Sequence, residues 1–175
     1  MDQEKRAEEL AKTNFYQKTV EMRDEWREKR DGAIKIVKGK HLKWENNPQG
    51  LMRWYMHPAI EDTVHRSYFF YVQEIPPGGR SGKQHHPGGM IIFIKKGRGY
   101  SIIDGEKNTW KAGDLVMLPL RGSGVEFQHF NEDPEESVRL VACEPNLAAT
   151  VGVDRGSEWK QIDDAPTYLK DGDTK

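Results

Sequence analysis

Residues 82–90 read GKQHHPGGM. Two adjacent histidines, His85 and His86, follow Gln84 and precede a Pro-Gly-Gly turn signal. The path of this stretch decides which side chains share a face. On an extended strand, successive side chains point to opposite faces. Gln84 and His86 then share one face and His85 takes the other, so both histidines reach one ion only if the strand bulges.

The surrounding sequence has the texture of short strands. From Ala33 onward, β-type runs fall at 33–38, 50–56, 67–75, 90–94, 99–103, 107–110, 115–118 and 138–143. The turn signals IPPGG, KKGRG, DGEK, KAGD and NEDPEE separate them. Asp104-Gly105, between two such runs, predicts a hairpin. Many short strands at this spacing predict an all-β sandwich or barrel. Ahead of them, residues 3–31 read as one helix. Leu10, Phe15, Thr19, Met22 and Trp26 form its apolar face, charges fill the other, and Gly32 supplies a stop. Such a helix is expected to lie on a domain or on a neighbouring subunit. After Asp163 the chain is polar. The organisation expected is therefore a helical arm at 1–32, a barrel domain at 33–163 and a flexible tail at 164–175.

The 175 residues carry 27 Lys and Arg against 28 Asp and Glu, a net charge of -1. No basic field is available for nucleic acid; the basic VKGKHLKW stretch at 37–44 is balanced by neighbouring acids. A single cysteine, Cys143, excludes an internal disulfide framework and a multi-cysteine zinc site, and its apolar surroundings RLVACEPN favour packing over reactivity. The opening MDQEKRAEEL has no apolar core of a signal peptide, and no run approaches the roughly 18 apolar residues of a membrane span. A soluble cytoplasmic protein with no membrane partner is expected. Nucleophile elbows, phosphate-binding loops, dinucleotide fingerprints and HExxH motifs are absent from the sequence.

Around the opening stretch the spacing resembles the cupin motifs. The first cupin motif is Gly, five residues, His-x-His, three or four residues, Glu, six residues, Gly. Here Gly78, Gln84-His85-His86, Met90 and Gly97 fall at those positions. The second motif is Gly, five residues, Pro-x-Gly, two residues, His, three residues, Asn. Here Gly113 and Pro119 fit, and a longer loop leads to EFQHFN ending at Asn131. The motif histidine falls on Phe127, with His129 between it and Asn131. GYSIIDGEKNTWKAGDLVMLP between the motifs is also cupin-like, and the resemblance spans about residues 33–150. It is nearest to single-domain relatives of gentisate-type ring-cleaving dioxygenases.

The resemblance implies a cupin jelly-roll barrel, a double-stranded β-helix, behind the helical arm, and a homodimer. It implies a divalent transition metal at the barrel mouth, iron(II) first, with zinc, manganese or nickel as alternatives. It implies a dioxygenase acting on a small organic acid, phenolic in one version. Three readings of the histidines stay open. His86, His129 and Gln84 hold the metal; or the strand bulges at Pro87-Gly88-Gly89 and His85 joins them; or no metal binds and the histidines form a polar patch. Met90 is a core residue or a soft ligand. Phe127 is a pocket wall against an aromatic substrate or plain core. Arg121, in the PLRGSG loop, is a bidentate clamp for a substrate carboxylate or a solvated arginine. Trp54 and Tyr55 read as packing or dimer-contact residues, and His57 and His65 as scattered. Two functions of other classes stand beside the dioxygenase: a barrel that binds a small molecule without catalysis, and a lyase or isomerase with a redox-inert metal.

Overall fold

The helical part of the chain is two helices rather than one. α1 spans Gln3–Ala11 and α2 spans Phe15–Gly32. Asn14 leaves the helical conformation and its side chain accepts from the Gln17 amide at 3.0 Å, starting a new helix where a continuous one is expected. Short amide side chains compete for nearby backbone groups in this way, and they favour caps over helix interiors. Neither helix buries a side chain. Residues 33–38 form no strand. Ile34 makes a single parallel bridge to Thr63, and its amide donates to the Asp62 carbonyl at 2.7 Å. β-type residues make a strand only where a partner runs alongside.

The computed structural model describes residues 2–65, 67–146 and 160–169. These fall into two compact units, residues 1–36 with 62–64, and residues 37–61 with 65–175. The second unit is the barrel. Its strands are β1 (Glu45–Asn47), β2 (Gly50–Met56), β3 (Tyr68–Ile75), β4 (Lys83–His86), β5 (Ile91–Lys96), β6 (Arg98–Ile103), β7 (Glu106–Lys111), β8 (Leu115–Met117), β9 (Val125–Asn131), β10 (Val138–Pro145) and β11 (Lys160–Asp163). One sheet runs β1-β2-β3-β10-β5-β8 and the other β11-β4-β9-β6-β7. This is the all-β cupin barrel with a helical N-terminal region that the resemblance implies. Seven of the strands fall on expected runs. β1, β4, β9 and β11 fall outside them, on stretches whose polar residues dilute the β signal.

The two sheets meet across an apolar core, with Ile75, Ile92, Ile94 and Leu140 from the first and Trp110 and Val125 from the second. Strict alternation drives this: along β5, Ile92 and Ile94 are buried while Ile91 and Phe93 are exposed. The Asp104-Gly105 hairpin forms as expected. Ile103 pairs with Glu106 across it, and both turn residues have positive φ, 49° and 86°. Two left-handed residues in a two-residue loop match the twist of the strands they join. Cys143 is half-buried, and burial, then the charge of Glu144, pushes its thiol pKa up. Within the segment expected to be a loose tail, Ala165 is buried and its amide donates to the Pro48 carbonyl at 2.7 Å. The Thr167 carbonyl accepts from the Asn46 side chain. Residues 170–175 lie outside the described residues.

Asn131, at the end of β9, ties three segments together. Its buried side-chain amide donates to the carbonyls of Ile75 (3.2 Å), Pro76 (2.9 Å) and Glu136 (2.8 Å), and its oxygen accepts from the Asp133 amide at 2.9 Å. Removing the donors strands the buried Ile75 carbonyl, at a cost on the order of 1–3 kcal/mol, and frees the part-buried carbonyls of Pro76 and Glu136. Both Asn131→Ala and the isosteric Asn131→Asp are expected to lower unfolding free energy by about 2–4 kcal/mol in urea titrations, the aspartate at least as much because it can only accept.

Candidate functional site

β4 pairs with β9 without a register slip: Gln84 faces Phe127, His85 faces Glu126 and His86 faces Val125. Gln84 and His86 therefore point into the barrel and are buried, while His85 lies half-buried on the other face, opposite Lys160 of β11. The bulge that would swing His85 inward is not formed. The Pro87-Gly88-Gly89 turn bends the chain after His86 instead, with Gly88 at φ 92°. No side chain fits at 88, since a Cβ there would stand 1.8 Å from the Pro119 carbonyl oxygen.

That turn sets the chemistry of His86. The ring is 0% exposed, and its Nδ1 accepts from the Gly88 amide at 2.9 Å. A nitrogen that accepts carries a lone pair, so the neutral ring holds its proton on Nε2. Nε2 lies 3.0 Å from Oε1 of Glu144. Glu144 is 8% exposed, and its Oε2 is buried with no hydrogen-bond partner among the described residues. The sequence reading missed this carboxylate. The available signal is the alternation along β10, where Val138, Leu140 and Ala142 face inward and Glu144 is the next residue in step.

Aromatic side chains flank the pair. Phe69 is the cross-strand partner of Glu144, and Tyr71 is that of Ala142. Trp54 pairs with Tyr71 from β2, with ring centroids 5.0 Å apart. His57 packs edge-on against Phe69 at 4.9 Å and Trp54 at 5.3 Å, and burial lowers its pKa. The Tyr71 hydroxyl donates to Met90 Sδ at 3.6 Å. Burial, then the charge of Glu144, raises the Tyr71 pKa, so the phenol keeps its proton.

His129 belongs to a separate chain of hydrogen bonds. Ser101 is its partner across β6 and β9, with Oγ 2.7 Å from His129 Nδ1. The Trp110 indole donates to the same Oγ at 2.8 Å, and the His129 amide donates to Ser81 Oγ at 2.9 Å. Burial pushes the His129 pKa down to about 4, so the ring is neutral near pH 7.

These placements test whether a transition metal fits. Three or four good donors must converge on one point, imidazoles or carboxylates for iron, manganese, nickel or zinc. The cupin ligand positions here hold Gln84, His86, Met90 and Phe127. Gln84 Nε2 points to Gln161 Oε1 at 3.5 Å, Met90 is core-buried, and Phe127 brings no donor. His86 uses one nitrogen on the backbone and faces Glu144 with the other. His129 does not join it: His86 sits opposite Val125, four residues from His129, roughly 13 Å along the strand. Both rings instead contact Phe127, at 6.1 and 5.2 Å between centroids. Among the described residues no group of three or more His, Cys, Asp or Glu could hold a metal ion. The donor set does not fit. Arg121 is half-exposed and its guanidinium is 2.9 Å from Asp104 Oδ2, so the expected carboxylate clamp is already engaged by the hairpin.

Residues 71–143, less than half of the chain, match the family model for the cupin domain. Among solved structures, the polyketide cyclase RemF from Streptomyces resistomycificus is 15% identical, with a TM-score of 0.53 over 65% of this chain and 80% of that one. A variant of PAC13 from Streptomyces with uridine bound is 10% identical, with a TM-score of 0.54 over 77% of this chain and 99% of that one. Salicylate 1,2-dioxygenase from Pseudoaminobacter salicylatoxidans in complex with gentisate is 15% identical, with a TM-score of 0.50 over 64% of this chain and 28% of that one. These are likenesses of fold. No curated protein matches the chain's sequence.

The buried His129 makes stability depend on pH. The unfolded chain takes up a proton near the ordinary value of 6.5, whereas the folded chain resists until about 4. The stability it contributes is complete above pH 6.5 and drains away as pH falls toward 4, by up to about 3 kcal/mol. Urea titrations at pH 7 and 4.5 are expected to show this loss in the wild type and a distinctly shallower one in His129→Gln.

Proposed function

We propose that this chain is a metal-independent cupin that holds a small organic molecule inside its barrel, with His86 and Glu144 as the polar centre. The observation that carries this reading is the 3.0 Å approach of His86 Nε2 to Glu144 Oε1, on the inner face of the barrel where cupins usually gather metal ligands. An imidazole and a carboxylate in contact, shielded from water, can bind a polar ligand and can also move a proton to or from it. Either a binding protein or a lyase or isomerase follows from that pair. A ring-cleaving dioxygenase finds less support, because Gln84 and Phe127 stand where iron would need histidines. PAC13 holds uridine in a barrel of this fold, which agrees with a small polar ligand rather than a macromolecule. Among the described residues no helix is long and apolar enough to cross a membrane. The homodimer and the cytoplasmic setting expected from the sequence belong to the same proposal.

Metal analysis of untagged protein, after incubation with iron(II), manganese, nickel or zinc and desalting, is expected to find below about a tenth of an equivalent of any of them. Uptake near one equivalent that disappears in His86→Gln would overturn the reading.

A further inference from the structure

The Glu144 carboxylate is half-used. Oε1 faces His86 Nε2, while Oε2 is buried and has no partner among the described residues. Among the described residues no lysine or arginine pairs with it, and its ion-pair contact is His86. A buried acceptor without a donor is costly. The walls beside it are aromatic: Phe69 lies opposite Glu144 across β3 and β10, and Trp54 contacts Phe69 at 6.4 Å between centroids. Aromatic faces attract cations.

We infer that the natural ligand presents a protonated amine to Glu144 Oε2, with an apolar or aromatic body lying against Phe69 and Trp54. The inference rests on the metal-independent reading of the same site and names its ligand class. It reverses the charge expected from the sequence, since an organic acid would bring a second carboxyl group to Glu144 while Arg121, the residue expected to receive it, is held by Asp104. The unpartnered oxygen asks for a donor and the aromatic wall favours a cation, and a protonated amine supplies both. A neutral alcohol supplies only the first and ranks between the amine and the acid.

Three probes of one skeleton separate these cases: phenethylamine, 2-phenylethanol and phenylacetate, titrated into metal-free full-length protein and followed by calorimetry and by the thermal midpoint. The amine is expected to bind at least tenfold more tightly than the alcohol, and the acid to give no shift. Glu144→Gln keeps the shape and removes the charge; it is expected to abolish the preference for the amine while near-ultraviolet circular dichroism shows the fold intact. The inference is overturned if the acid binds as well as the amine, if Glu144→Gln binds the amine unchanged, or if none of the three binds. Parallel titrations with zinc and iron(II) keep the two readings apart. Stoichiometric metal uptake sinks the metal-independent reading, whereas absence of an amine preference in protein that takes up no metal sinks only this inference.

Discussion

The antiparallel pairing of β4 with β9, in the single register that sets Gln84 opposite Phe127, decides what meets inside the barrel. Side chains alternate along both strands, so this register commits Gln84 and His86, with Val125, Phe127, His129 and Asn131, to the interior. It also commits His85 and Glu126 to the outside. A slip of one residue would exchange the two sets and place Lys83 and His85 in the core. The Asn131 amide, bound to carbonyls before and after it in the chain, and the Ser81 hydroxyl, which accepts from the His129 amide, hold the far end of β9 against such a slip.

Two buried imidazoles result, and their surroundings give them different roles. His86 takes a backbone donor on one side and faces a carboxylate on the other. Its Nε2 lies 3.0 Å from Glu144 Oε1, and it sits beside the aromatic wall of the site. His129 is sealed beneath Phe127, beside a serine that an indole already supplies with a hydrogen bond. The first arrangement leaves an acceptor unsatisfied at Glu144. The second satisfies its own groups and behaves as polar core. Phe127 separates the two in function: where a ligating histidine would join them, a phenyl ring packs against both.

Much of the fold could be read from the sequence. Runs such as MIIFI and VRLVAC alternate or cluster strongly, and Asp104-Gly105 fixes a turn by local chemistry alone. Where reading failed, the determining partner lay elsewhere. The AIKIVK run has β-type residues but only Thr63 to pair with, and the break in the first helix turns on one capping side chain, Asn14. The site was legible only in part. Motif spacing pointed to the positions 84, 86, 90 and 127, and alternation rightly parted His85 from His86. Spacing could not reveal that His86 would meet Glu144, because that contact joins strands far apart in the chain. Nor could it reveal that His129 would be spoken for by Ser101 and Trp110. Arg121 looked available for the same reason, since its neighbour Asp104 is near only across the fold.

The group that sets the His86 tautomer is a peptide amide at a glycine whose φ of 92° and closeness to Pro119 exclude any side chain. Main-chain donors persist through substitution, so the acid–base character of this imidazole is insulated from genetic drift in the side chains around it. Glu144 and the aromatic wall are free to diversify, and with them the cargo of the barrel, while the proton on His86 stays where the peptide geometry puts it.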